Sequence, residues 1–344
     1  MIDNQKQTLT ISIDCLGGDN YPNAQVEGIK LFLNKNKNSN IKFLLFGEKS
    51  VLEPYLRKFK IPKQHYELID VNKRIKSEEK PSIALRNGKG SSMWLAIDAV
   101  KQKIADASIS AGNTGALMAI SMLLLRTLQD IDRPALAQMM PTEKNSSVTM
   151  LDMGANIDCS SDNLYQFAVM GSVFHGAIVG TKNPSIGLLN VGSEDMKGND
   201  VVKSAAFRLK NSILKDDFYG FVEGNDILKG TVDVVVTDGF TGNVALKTIE
   251  GTAKFFAKSL KELFTKSLLN RLMALIMAKS FKSFKKKINP ENYNGAMFLG
   301  LNGISVKSHG NANGRSFCFA IENTIKLIKN NINEKIIDML IVEE

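Results

Sequence analysis

Short apolar runs that end in glycine-rich turns, each turn opening onto a helical segment, recur along this chain and constrain its fold more than any other feature. The runs Thr8 to Asp14, Lys42 to Phe46, Ala107 to Ser110, Val148 to Met153, Ser185 to Asn190 and Asp233 to Thr237 have the length and residue types of strands. Turns follow Asp14, Ser110, Asp152, Asn190 and Asp238. Such alternation predicts a parallel sheet covered by helices on both faces, a three-layer α/β/α arrangement. Ligands of open α/β sheets bind beyond the carboxyl ends of the strands, so these turns are where a site is expected. A length of 344 residues with 44% hydrophobic residues is enough for a single domain spanning 1–344 with a sizeable core.

The turns share a chemistry. Gly17 and Gly18 follow the first run, and Gly112, Asn113 and Thr114 follow the third. Gly154 and Asn156 come next, then Gly192 with Lys197 and Asn199, and finally Gly242 with Asn243. Glycine lets the backbone approach a ligand closely, and a turn feeding a helix presents free N–H groups where the helix dipole favours an anion. Any one of them reads equally well as a capped strand-to-helix turn, but the set favours an anionic ligand. Asn113, Asn156 and Asn243 are neutral donors suited to phosphate. Asp14, Asp19, Asp152 and Asp238 read better as caps that order the turns, since a carboxylate repels a bound anion.

Several chemistries are excluded. No G-x-G-x-x-G follows the first strand and no G-x-x-x-x-G-K-[ST] occurs, so dinucleotide and nucleoside triphosphate lack their usual cradles. His65, His175 and His309 do not cluster, there is no H-E-x-x-H, and no G-x-S-x-G nucleophile elbow is present. Cys15, Cys159 and Cys318 lie far apart, against a disulfide framework or a structural zinc site. The expectation is group transfer to or from a phosphate-like anion with no cofactor and no metal. A polar start from Met1 to Thr8, without the pattern of a signal peptide, predicts a cytoplasmic location.

The formal charge of +9 is concentrated in one place. Between Lys254 and Lys287 stand Lys258, Lys261, Lys266, Arg271, Lys279, Lys282, Lys285 and Lys286, against one acid, Glu262. Phe256, Leu260, Leu263, Phe264, Leu268, Leu272, Leu275 and Ile276 recur there at helical spacing, so residues 252–288 form a basic amphipathic arm inserted in the domain. Its apolar run from Leu272 to Ala278 is too short to span a bilayer. It suits an anionic membrane surface or an acidic partner; packing on the core or on a second subunit is the alternative. No aromatic residues interleave with bases as single-stranded nucleic-acid binding requires, so no nucleic-acid partner is expected.

Taken together, the motifs resemble one family. They are Asp14 to Asp19, Lys80 to Arg86, Ser110 to Ala116, Asp132 to Ala135, Leu151 to Cys159, Gln166 to Gly171, Lys197 to Asn199, Val222 to Gly224, Asp238 to Asn243, and Gly300 to Gly303 continuing through Val306 to Gly310. In this order they resemble the phosphate acyltransferase (PlsX) family, in register from about Leu9 to Ile321. The resemblance implies a Rossmann-like α/β/α core similar to phosphotransacetylases and isocitrate-dehydrogenase-like enzymes, with a protruding helical hairpin. It implies transfer of a long-chain acyl group from acyl carrier protein to inorganic phosphate, giving acyl phosphate for glycerophospholipid synthesis. A homodimer associated with the inner face of the cell membrane is implied too. Two departures stand out. Asn20 and Tyr21 replace the family's usual His-x before Pro22, and Asn311-Ala312-Asn313 replaces Ser-Ala-Asp.

Phosphate is its own nucleophile and a thioester an activated donor, so direct attack needs no covalent intermediate. Such a site has to hold phosphate beside the thioester carbonyl and offer donors to the oxyanion. Lys307, His309 and Asn243 are the candidates for catalysis. Gly17, Gly18, Arg86, Gly112, Asn113, Thr114, Gly154, Asn156, Gly192, Lys197, Asn199, Gly242 and Asn302 are those for substrate binding. Leu268, Arg271, Leu272 and Lys279 are assigned to membrane or partner contact. Two other readings stay open: a phosphotransacetylase-like enzyme using short acyl-CoA, which gives the arm no task, and a non-catalytic membrane adaptor, which leaves the turns unexplained.

Overall fold

The run Leu-Thr-Ile-Ser-Ile-Asp forms the first strand, β1 (Leu9–Asp14), and its alternation serves both faces of the sheet. Ile11 and Ile13 are fully buried on one face, while on the other Ser12 Oγ donates to Ala96 O at 2.6 Å. The computed structural model describes residues 8–144, 146–267, 269–270, 276–277 and 294–341. The further strands are β2 (Ile41–Gly47), β3 (Tyr66–Asp70), β4 (Ala107–Ser110), β5 (Ala135–Pro141), β6 (Ser147–Leu151), β7 (Ile186–Leu189), β8 (Phe218–Val222), β9 (Val234–Val236), β10 (Ala296–Leu299) and β11 (Ile304–Lys307). Helices are α1 (Asn23–Lys35), α2 (Lys49–Lys58), α3 (Pro81–Asn87), α4 (Ser92–Lys101), α5 (Thr114–Leu125), α6 (Ser161–Val179), α7 (Asp200–Lys210), α8 (Asp226–Lys229), α9 (Gly239–Thr265), α10 (Gly314–Lys329) and α11 (Ile332–Ile341).

One sheet runs β3-β2-β1-β4-β11-β10-β5-β6-β9-β7-β8. Its two faces carry separate cores, which makes the three layers expected. Ile11, Ile13, Phe43 and Leu45 pack with Val26, Ile29 and Phe32 of α1, Phe167 of α6 and Phe317 of α10. Leu44 and Phe46 face the other way, onto Met93 and Ile97 of α4 and Leu117 and Ile120 of α5. Each such side chain, once fully buried, contributes about 1.5–3 kcal/mol.

An all-parallel sheet was expected, and the structure corrects this. β3, β2, β1, β4 and β11 are mutually parallel, as are β6, β9, β7 and β8. Between these blocks β10 pairs antiparallel with β11 and with β5, and β5 antiparallel with β6. After three reversals the second block points opposite to the first. Two open sheets set side by side in this way would present their carboxyl ends at opposite edges. Here β5 prevents that, because its first half, Ala135 to Ala137, pairs with Leu299 to Met297, and its second half, Gln138 to Pro141, with Met150 to Ser147. Lys307, the last residue of β11, stands opposite Ala296, next to the point where β5 passes from one partner to the other. The carboxyl ends of both blocks therefore face each other across β5.

Residues 252–265 of the segment read as the arm belong to a helix that starts earlier, at Gly239. Asp238 caps α9, accepting from Thr241 N at 2.7 Å, and the helix continues without a break to Thr265. From Gly251 to Leu263 every residue is exposed, including Phe255, Phe256, Leu260 and Leu263. Leu268, Arg271, Leu272 and Lys279 lie outside the described residues.

Candidate active site

Three turns of the first block pack backbone to backbone. Asp14, at the end of β1, is buried and accepts from Ser92 Oγ and Ser110 Oγ, both at 2.6 Å, and from Leu16 N at 3.2 Å. Burial pushes its carboxyl above the usual range, and the two serines and Arg74 only partly offset this. A Cβ on Gly17 would lie 2.5 Å from Asp14 Oδ2 and 2.7 Å from Gly112 N. Gly18 has φ +88°, and a Cβ there would meet Gly310 O at 2.9 Å. Only glycine admits so close an approach. These residues thus join the ends of β1, β4 and β11. Gly112 N donates to Ser110 Oγ at 3.0 Å, so its N–H serves the turn and not a ligand.

The second block is organised by Asp152. Its carboxylate accepts from the backbone N–H groups of Leu136 (3.0 Å), Gly154 (3.1 Å), Ala155 (3.0 Å) and Asn156 (2.7 Å), and from Asn156 Nδ2 at 2.9 Å. Burial raises its pKa, and these bonds lower it in part. The start of α9 rests directly on this turn, for a Cβ on Gly242 would fall 1.9 Å from Asp152 O and one on Gly239 2.4 Å from Asn156 O.

Between the two edges opens a cleft of about 350 Å³, within the range of small-molecule sites. Its lining combines polar residues, Thr114, Gln138, Asn243, Lys247, Glu250, Asn294, Lys307 and His309, with apolar ones, Met118, Leu136, Met153, Leu246 and Phe298. Lys307 is buried at 9% exposure, and its Nζ donates to Ser308 O and, at 3.5 Å, to Ala111 O. Burial pulls its pKa down to about 8, although Asp14 and Asp19 support the charged form; Lys247 adds to the lowering. His309 N donates to Asn294 Oδ1 at 2.8 Å, which fixes the turn after β11. Glu250 bridges two basic side chains, with Oε1 3.5 Å from His309 Nε2 and Oε2 2.9 Å from Lys247 Nζ. Burial pushes the Glu250 carboxyl up, but Lys247 and His309 together hold it below the usual range.

Of the expected site residues, Lys307, His309, Asn243, Thr114 and Gly154 line this cleft. Others are placed elsewhere. Asn113 caps α5, accepting from Ala116 N at 2.9 Å, and gives its amide hydrogens to Ser77 O and Glu79 O. Asn156 donates to Pro134 O and Asp152, so both carboxamides are committed to the scaffold and do not present donors to substrate. Gly17, Gly18, Gly112 and Gly242 are likewise positioning elements. Gly192, Lys197 and Asn199 lie in the turn from β7 to α7, outside the cleft lining; Asn199 caps α7 through Val202 N at 2.9 Å. Arg86 is exposed on α3 and does not reach the lining. Asn302 sits in the β10–β11 connection at the amino end of β11, the opposite edge from Lys307, with Nδ2 on Thr127 O at 2.8 Å.

Gln138, Lys247 and Glu250 were missed. A signal for the latter two existed: Asn243, Lys247 and Glu250 are spaced i, i+4, i+7 on one helix, so a ligand facing Asn243 also faces them. Gln138 gave no such signal, because its strand was not read as one. Among the described residues no group of three His, Cys, Asp or Glu is placed to hold a metal ion, and no helix is long and apolar enough to cross a membrane.

A mixed three-layer sheet whose two carboxyl edges enclose a cleft lined by lysines and apolar side chains defines an α/β enzyme that handles an anion together with an acyl group. The same fold occurs in a phosphotransacetylase from Streptococcus pyogenes, with TM-score 0.60 at 16% identity over 94% of each chain. It occurs also in a branched-chain phosphotransacylase from Enterococcus faecalis, with TM-score 0.57 at 12% identity over 93% of this chain and 99% of that one. The family model for fatty acid synthesis proteins matches residues 9–335. A phosphate acyltransferase of Paramagnetospirillum magneticum is 51% identical over 95% of this chain and 93% of its own. One from Ehrlichia chaffeensis is 44% identical over 96% and 99%. The chain belongs to the phosphate acyltransferase family, and it transfers an acyl group to phosphate in lipid synthesis.

Proposed function

We propose that the acyl donor is a long-chain thioester of acyl carrier protein, and that phosphate is held by Lys307, Lys247, His309 and Asn243 while it attacks the thioester carbonyl directly. The observation that carries this reading is the mixed lining of the cleft. Lysines from both blocks supply charge for an anion, and Met118, Leu136, Met153, Leu246 and Phe298 suit the first methylenes of an acyl chain. In the step itself a phosphate oxygen forms the new C–O bond and the C–S bond breaks. The proton lost by hydrogen phosphate ends on the leaving thiolate, so acyl phosphate and free thiol are the only products. Lys307, held in low dielectric, supplies the charge that steadies the oxyanion, and His309 relays the proton.

The exposed stripe Phe255, Phe256, Leu260 and Leu263, with Lys254, Lys258 and Lys261 beside it, supports peripheral contact with an anionic membrane surface by a cytoplasmic homodimer. The basic surface also suits the acidic carrier. The test of the donor is incubation of purified protein with long-chain acyl carrier protein and phosphate, trapping acyl phosphate as the hydroxamate. Phosphate-dependent product is expected. Preference for acetyl-CoA would transfer the reading to short-chain phosphotransacylation, and absence of product from either would show that the donor is another thioester. Light scattering that returns the mass of one chain would exclude the homodimer.

A further inference from the structure

Four ionisable side chains line the cleft, and only one of them is an acid. Lys307 leaves β11, His309 follows it by two residues, and Lys247 and Glu250 lie one turn apart on α9. Three potential cations in so small a space repel one another, and Lys247 contributes to the lowered pKa of Lys307. Glu250 is the counter-charge. Its side chain is 19% exposed, and each of its oxygens faces one nitrogen, His309 Nε2 at 3.5 Å and Lys247 Nζ at 2.9 Å. Because Glu250 belongs to the α9 side of the cleft and His309 to the β11 side, this carboxylate ties the two sides together at the point where the reaction is placed.

We propose that Glu250 is a positioning residue for the transfer reaction: it holds the His309 imidazole by Nε2 and keeps Lys247 beside it, and so aims both groups at phosphate and the leaving sulfur. The proposal rests on the reading of the cleft as the transfer site. Glu250 itself stays clear of the substrates, since a carboxylate in contact with phosphate would oppose binding. Its effect therefore passes through His309. With Glu250 neutralised, the imidazole loses its anchor and Lys247 is left facing the other cations without a counter-charge. A displacement of about 1 Å at a reacting group is enough to lower rates on the order of 100-fold.

The test uses full-length Glu250→Gln, Glu250→Asp, His309→Asn and the double variant Glu250→Gln/His309→Asn. Initial rates of hydroxamate-trapped acyl phosphate are measured at varied phosphate, with thermal melting to monitor folding. Glu250→Gln is expected to lower kcat by roughly ten- to a hundredfold, with a smaller rise in the KM for phosphate from the loss of Lys247's support. Glu250→Asp, which keeps the charge on a shorter stem, should recover part of kcat. In the double variant kcat should be no lower than in His309→Asn alone, because residues acting as a unit are not additive. A kcat for Glu250→Gln within twofold of the parent, or losses that multiply in the double variant, would overturn the proposal. Should His309→Asn itself leave kcat intact, the site assignment would fail instead, whatever Glu250 does. Lowered kcat at an unchanged melting temperature separates positioning from damage to the fold.

Discussion

Replacing Lys307 by methionine removes a charge that the fold holds at a penalty, and the structure fixes the size and sign of the effect. Burial takes the Lys307 pKa from 10.5 to about 8, a value that already includes the support of Asp14 and Asp19. At about 1.4 kcal/mol per unit, keeping the cation in the folded state below pH 8 costs about 3 kcal/mol. Unfolded, the side chain keeps its proton up to pH 10.5; folded, it releases it near 8. The unfolded state thus binds more protons across that window, and parent stability rises with pH through it. Methionine has nearly the same length and needs no partner at Ala111 O or Ser308 O. Lys307→Met should therefore melt a few degrees above the parent at pH 7, the gap narrowing as pH rises and closing near 10.5. Its kcat should fall on the order of 100- to 1000-fold, the usual effect of removing one oxyanion donor. Melting curves at pH 7, 9 and 10 and hydroxamate assays at pH 7 are sufficient. A variant that melts below the parent at pH 7, or a gap that widens with pH, would refute the account of Lys307 as a destabilised functional cation.

Gly242→Ala places a methyl 1.9 Å from Asp152 O, a backbone atom that cannot swing away; a loss of about 2–3 kcal/mol in urea unfolding is expected, with reduced activity as α9 shifts from the Asp152 turn. Asn302→Ala loses one bond to Thr127 O at the far edge of the sheet, so kcat/KM should stay within about twofold of the parent, and a large loss would show that this edge takes part in the reaction. Phe256→Glu/Leu260→Glu alters the exposed stripe of α9 and should abolish co-flotation with anionic liposomes while leaving binding to neutral ones at its low level; unchanged flotation would remove the membrane assignment.

What the sequence disclosed depended on how many faces an element buries. β1, β2, β4, β6, β7 and β9 lie in the sheet interior, and their runs of Val, Ile, Leu and Met were readable within a residue or two of their ends. The edge strands β3 and β8 carry no such run and went unread; no residue of β3 is buried, and of β8 only Phe221 and Val222 are. Missing β5 and β10 had a larger consequence, since Ala135–Pro141 and Ala296–Leu299 are the strands that reverse the sheet. Without them the sheet could only be read as parallel, and Gln138 could not be placed. The turn residues show a second limit. Asn113, Asn156 and Asn199 have the chemistry of ligand contacts, but spacing does not tell a carboxamide aimed at a ligand from one closing its own turn. Only three-dimensional placement separates Asn243, on the cleft, from the others.

The reversal of the sheet bears directly on how the reaction proceeds. In a single parallel block the carboxyl edge offers backbone N–H groups and one set of side chains; here β5 carries the hydrogen-bonding frame of both edges, with Leu136 N on Asp152 and its second half on β6. Lys307 and His309 come from one edge, Asn243, Lys247 and Glu250 from the other, and neither set alone encloses an anion. No thiol is poised to take the acyl group in between. Burial raises Cys159 to about 11 and Cys15 well above its usual value, so neither supplies a thiolate near neutral pH. Ser92 and Ser110 both donate to Asp14 and are buried outside the cleft lining. This fits the proposed direct attack by phosphate. On that proposal the enzyme's task reduces to holding two reactants between two edges at one distance, and the strand shared lengthwise is the device that sets it.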